Sequence, residues 1–211
     1  EMLNWIDGFT KRKEILPLPK PTIDYSIRIF SSPEKLDEEI CKLADKEESS
    51  LSRLIATYDW EYNAKTDPPE RLSKYWEVLI NGWHKPWNRE LESELSPKQK
   101  RYNKKLAWAE QKQTIGEVGS TFTIQGFDLN YAGVILGPSV KYKDGRIVFD
   151  PDSSCNTKAV RKRTLSDGTK KKFGEELLRH EVRVLMTRGV NGLFIYACDE
   201  ELRKALLAAV E

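Results

Sequence analysis

SIRIFSSPEKLDEEICKLADKEESSLSRLIATY, residues 26–58, decides the fold class. SIRIF reads as a short strand. Ser32 before Pro33 is an N-cap followed by proline at the first helical position. Leu36, Ile40 and Leu43 then recur at helical spacing. The helix breaks up in EESS, and RLIATY (53–58) reads as a buried strand. Strand, helix and strand in that order form a βαβ unit, which points to an α/β fold with a parallel sheet.

The same alternation resumes towards the C-terminus. YAGVILG (131–137) is an apolar run suited to a central strand, and KYKDGRIVF is a hairpin around Asp144-Gly145. Residues 173–187 are predicted as a helix with Leu178, Val182 and Leu185 on one face, and Gly189 is placed to end it in left-handed geometry. LFIYAC is another buried strand, and Asp199 caps a final helix, EELRKALLAAV. Between these units, residues 60–113 lose regular pattern. Pro68, Pro69, Pro86 and Pro97 punctuate them, YWEVLI (75–80) precedes an Asn81-Gly82 turn, and 98–113 is polar, basic and helical in pattern. A structureless stretch of that length is improbable inside a compact domain. The 211 residues are therefore expected to form one domain, with 60–113 as an insertion or lid. EVGST (117–121) is expected as a short strand and 158–172 as a basic loop.

Composition excludes several classes. Lys plus Arg number 35 and Asp plus Glu 33, a net charge of +2, so any pull on an acidic partner has to be local. No stretch approaches the length of a membrane span. The start, EMLNWIDGFTKRKEI, lacks the pattern of a signal peptide and reads as the middle of a longer protein. Three scattered cysteines suit reduced thiols in the cytoplasm. Cys41, Cys155, Cys198, His84 and His180 show no paired ligand spacing, so no metal site is expected.

Two segments carry chemistry. TIQGFDLNYAGVIL (123–136) puts Gln-Gly and an acid just before a buried strand. VRVLMTRG (182–189) puts Arg188 at the C-terminal end of a helix, beside a strand. An arginine there can grip a phosphate bidentately and offset charge developing in phosphoryl transfer. It can equally be solvated or paired with the helix dipole.

In this order, the two segments resemble the second RecA-like domain of superfamily 1 helicases. RLIATYDW resembles the earlier strand segment of that domain. The chain looks most like the schlafen-group helicase-like ATPases, in which a Trp-rich insertion with a Pro-Trp-Asn piece, here Pro86-Trp87-Asn88, precedes the Gln-Gly segment. The resemblance runs from about Trp5 to Leu206. It implies a RecA-like, mostly parallel sheet flanked by helices. It implies that Arg188 is the arginine finger on the γ-phosphate of ATP bound with Mg2+. It also implies that Gln125 and Gly126 line the nucleotide cleft, that Asp128 approaches the nucleotide sugar or phosphates, and that Thr123 lies near the nucleic-acid path. Arg183 is a further phosphate candidate. This chain carries Phe122 where relatives carry His, and Asp128-Leu129-Asn130 where they carry Glu-Phe-Asp.

None of the 12 glycines opens a GxxxxGK[ST] phosphate loop. In helicases that loop belongs to the first RecA-like domain, so the chain reads as the C-terminal motor half of a longer ATP-dependent helicase, inactive alone. The apolar run ending in Asp199-Glu200 mimics a magnesium-binding strand but suits a helix cap better. Single-stranded DNA or RNA is the implied partner. Trp60, Trp76, Trp83, Trp87 and Trp108 interleave with lysines and arginines in the insertion, a mixture suited to stacking on bases. Trp83 and Trp87 are the nominated contacts, although such tryptophans can also build a small core. Lys170, Lys171 and Lys172 end the densest basic run and can track a phosphate backbone. The alternative is a non-catalytic nucleic-acid-binding module on a degenerate helicase fold.

Overall fold

A computed structural model describes residues 1–70, 74–157, 162–164 and 169–210. Of residues 162–164, 170 and 171 it describes the backbone alone. The N-terminal helix α1, Met2–Asp7, runs into a wider turn at Gly8–Arg12 and buries Trp5, Ile6 and Phe9. Strand β1, Ser26–Ile29, leads into α2, Pro33–Ala44. The Ser32 side chain accepts the Lys35 N–H, Pro33 opens the first turn, and Leu36 and Ile40 are fully buried. These are the capping and periodicity signals visible in the sequence. β2, Arg53–Ala56, is buried along its whole length.

The segment expected as an insertion, residues 60–113, forms defined elements in its described residues. β3, Glu77–Ile80, and β4, Trp83–Pro86, form a hairpin. Its turn residues Asn81 and Gly82 have φ of 47° and 93°, the double left-handed turn that matches strand twist. The expected long helix over 98–113 is shorter. α3 covers Pro97–Asn103 behind a Ser96/Gln99 capping box, and short 3-10 turns follow. The expected EVGST strand is reduced to two parallel bridges, Ile55 with Gly119 and Trp87 with Val118, which stitch the insertion to β2. Arg53 adds a second stitch. Its buried guanidinium donates to the Ser50, Ser52 and Ala109 carbonyls and to Thr114 Oγ1, and burial pulls its pKa down to about 10.

β5, Leu129–Leu136, is the central strand expected from its apolar run. β6, Val140–Lys143, and β7, Arg146–Phe149, are the expected hairpin. Part of the expected basic loop is paired. β8, Lys162–Thr164, and β9, Lys170–Lys172, are antiparallel, whereas residues 158–161 and 165–168 of that loop lie outside the described residues. Helix α4 spans Gly174–Met186 and β10 Gly189–Ala197. Gly189 does not cap the helix as the sequence suggests. It opens β10 beside a register shift, where a Cβ would lie 2.0 Å from the Gly192 carbonyl oxygen. The last helix, α5, Glu200–Ala208, is capped by Asp199, whose side chain accepts the Leu202 N–H at 2.8 Å.

The main sheet has the order β1-β10-β5-β2, all parallel. This is the α/β, RecA-like class expected. The first βαβ unit is wider than its sequence suggests, because β10 and β5 lie between β1 and β2. Alternate residues of the central strands feed two cores. Val134, Leu136, Leu193 and Ile195 pack with α1, α4 and α5. Ile135, Phe194, Tyr196 and Leu54 pack with α2 and the insertion. Among the described residues, no helix is long and apolar enough to cross a membrane.

Candidate nucleotide and nucleic-acid site

β5 and β10 are neighbours, so the residues that precede them meet at the amino edge of the sheet. Leu129 N–H donates to the Arg188 carbonyl at 2.8 Å, and Gly189 pairs with Leu129. That pairing brings Arg188 and Asp128 together. Arg188 Nη1 lies 3.3 Å from Asp128 Oδ1, and it donates to the Phe127 carbonyl at 3.4 Å. Arg188 Nε donates to the Val184 carbonyl in the last turn of α4, where a cation also meets the negative end of the helix. Nη2 makes no hydrogen bond among the described residues. The Asp128 side chain is 62% exposed and Arg188 24%, so the pair faces outward. Arg183, one turn earlier, is paired with Asp7 of α1. Asp7 also accepts from Lys11 at 2.8 Å, and these cations hold its carboxyl below the ordinary range. Arg183 therefore ties α4 to the N-terminal helix and is not grouped with Arg188.

Residues 120–128 connect this edge to the opposite one. Thr123 Oγ1 accepts the Ser120 N–H and donates to the Ser120 carbonyl, both at 2.8 Å, closing a tight turn. Ile124 anchors the loop in the core, Gln125 and Gly126 are exposed, and Gly126 has φ of 71°. The loop begins beside β2 at Gly119 and ends at the start of β5.

At the carboxyl edge, Tyr58, Tyr62, Asn88, Arg89, Phe122 and Thr123 line a cavity of about 360 Å³. Phe122 meets Tyr58 edge-on, with centroids 5.4 Å apart. Trp87 lies beneath, fully buried against Tyr58 and Trp60. Trp76 and Trp108 are buried too, Trp87 in the core on the α2 side of the sheet and Trp108 in the core on the other side, so Trp87 offers no face for a base. Trp83 is half-buried and donates to Asp37 at 3.3 Å. Lys172 is exposed on β9; the side chains of Lys170 and Lys171 lie outside the described residues.

A profile of the Schlafen group 3, DNA/RNA helicase domain matches residues 1–199. The chain belongs to this family. The Schlafen group 3 domain is also similar to the uncharacterized protein YPL245W of Saccharomyces cerevisiae. The two are 32% identical over 98% of this chain, which spans 44% of the yeast protein. No solved structure matches. Membership of a helicase domain family points to nucleotide use and to nucleic acid in general terms.

Two residues of this Schlafen domain are missed by motif reading. Asp59, just beyond β2, is buried and accepts from Thr57 Oγ1, the Ser139 N–H and Ser139 Oγ, while its Oδ1 has no hydrogen-bond partner among the described residues. Glu181 of α4 is buried and accepts the Tyr58 N–H at 2.7 Å. Burial, with Asp59 nearby, pushes the Glu181 carboxyl up to about 7. The available signals were an acid at the end of a parallel strand and an acid within the apolar stripe Leu178–Val182–Leu185.

Proposed function

We propose that this domain is the second motor domain of an ATP-dependent nucleic-acid helicase or translocase, with Arg188 as its arginine finger. The observation that carries the reading is the Arg188–Asp128 pair at the shared edge of β5 and β10, one loop away from Thr123 and Phe122.

Arg188 fits a phosphate. Its carbonyl contacts fix the guanidinium plane, Asp128 is an exposed and exchangeable counter-ion, and Nη2 is available. In this proposal Arg188 trades Asp128 for the γ-phosphate when a first motor domain closes on it, and Asp128 turns to the sugar or phosphates. Gln125 and Gly126 form the cleft wall. Bound ATP supplies the phosphoryl group and Mg2+ neutralises its oxygens. The described residues contain no group of three or more His, Cys, Asp or Glu arranged for a metal. No step is assigned to this chain through Mg2+, which a first domain with a phosphate loop would hold. In this proposal Thr123, Trp83 and the basic strands β8 and β9 contact a single strand.

The test is Arg188→Ala in the longer protein. Turnover should fall by about 10³-fold or more while ATP binding persists. Near-normal turnover would remove the assignment. The second reading, a nucleic-acid-binding module without catalysis, is favoured by the resting Arg188–Asp128 pair, which satisfies the arginine without a nucleotide. It predicts no ATP turnover by the longer protein alongside intact strand binding.

A further inference from the structure

We propose that the cavity at the carboxyl edge seats one unpaired nucleobase of a single strand, stacked on Phe122 and hydrogen-bonded by Asn88. The proposal rests on the nucleic-acid half of the reading above and assigns a role to Phe122 and Asn88, which the family resemblance left without one.

The cavity has the size of a small-molecule pocket, about 360 Å³, and three of its six lining residues are aromatic: Tyr58, Tyr62 and Phe122. Phe122 is 49% exposed at the cavity wall. Its perpendicular contact with Tyr58 steadies the ring, while half of its surface stays open. A base needs such an open ring, and stacking tolerates any base because every base has a π-face.

Asn88 supplies an independent observation. Its residue surface is only 6% exposed, it lines the cavity, and its buried Oδ1 has no hydrogen-bond partner among the described residues. An unsatisfied buried acceptor costs free energy unless something donates to it. The ring N–H or exocyclic amino group of a base is such a donor. The Asn88 backbone is fixed, since its N–H donates to the Val118 carbonyl at 3.1 Å. The side chain therefore hangs from a rigid backbone, and a small turn about its own bonds brings the amide to a base in the cavity. Arg89 follows at the cavity wall and supplies the cation that a flanking phosphate requires.

The site is distinct from the Arg188 edge. β5 has eight residues, so the two edges lie roughly 26 Å apart at about 3.3 Å per residue. A base in the cavity belongs to a strand, not to a nucleotide held by Arg188.

The test is a binding cycle with the chain described here. A short fluorescent single strand and the same strand carrying abasic positions are titrated by anisotropy at fixed salt, against wild type, Phe122→Ala and Asn88→Gly. Glycine tolerates the left-handed backbone at position 88, where φ is 53°. Wild type should bind the intact strand roughly tenfold more tightly than the abasic one. Either substitution should remove most of that difference and leave abasic binding unchanged. Equal binding of both strands by wild type overturns the pocket and leaves the nucleic-acid reading standing. No binding of either strand overturns both. Displacement of the intact strand by a nucleoside monophosphate at constant ionic strength overturns the assignment to a strand.

Discussion

Glu181 is the residue at which burial and titration meet. Its carboxyl is pushed up to about 7 from an ordinary 4.5, chiefly by burial. A carboxyl with a raised folded pKa binds its proton more tightly folded than unfolded. Its contribution to stability is therefore complete below about pH 4.5, declines as the pH rises, and is gone above about pH 7. The thermal midpoint should fall between pH 5 and pH 8, and Glu181→Gln should flatten much of that slope. The ceiling is about 3 kcal/mol, from a difference of roughly 2.5 pKa units. Asp59 shifts in the same direction through burial, so its contribution to stability also declines as the pH rises. A midpoint that rises across this range would contradict the buried placement of Glu181. The place of Arg188 between α4 and β10 was legible from its motif, because a helix pattern running into a strand pattern fixes it. Glu181 and Asn88 were not, because their roles depend on what covers them, and burial of a polar side chain leaves little local trace.

At the scale of elements, most of the architecture was readable. Ser32 with Pro33, Asn81-Gly82, Asp144-Gly145 and Asp199 each force a local geometry through backbone or capping chemistry, and each is found where it acts. Strand order was not readable. β1 and β2 are joined by one helix yet sit at opposite edges, and only contacts distant in sequence decide that. The EVGST strand failed for a related reason. It meets β2 and the segment around Trp87 through one bridge each and forms no ladder with either. Gly133 tests the packing of α2 on the sheet. A Cβ there would lie 2.7 Å from Ile40 Cγ1 and 2.8 Å from Leu54 Cδ2. Both neighbours belong to a filled core and cannot swing into solvent. Gly133→Ala should destabilise the fold by about 1–3 kcal/mol in denaturant unfolding, an overpacking cost. Ser32→Ala should cost about 1 kcal/mol through the lost cap. If Gly133→Ala were neutral, α2 would pack less closely than described.

Over the whole molecule, charge is almost balanced, so attraction for a nucleic acid has to be concentrated somewhere. In the proposed reading the paired strands β8 and β9, which carry Lys162, Arg163 and Lys170–Lys172, concentrate it. Their register sets Lys162 opposite Lys172 and Arg163 opposite Lys171, so residues of like charge face each other across the strands. Such pairs oppose hairpin formation, and a polyanion that lies along them removes the penalty. Replacing Lys170, Lys171 and Lys172 by Gln removes three cations from one strand. If each neutralises a phosphate, the slope of log K against log salt should become shallower by about 2, at roughly 0.7 per contact on a single strand. The variant should also lose the rise in thermal midpoint that a polyanion gives the parent chain, because less repulsion is left to relieve. This slope is separable from the base pocket. Phe122→Ala lowers affinity without altering the number of phosphate contacts, whereas the lysine variant alters the number itself. A wild-type slope in the lysine variant would mean that the strand passes elsewhere on the surface. The Arg89 side of the cavity would then be the place to look for the missing cations.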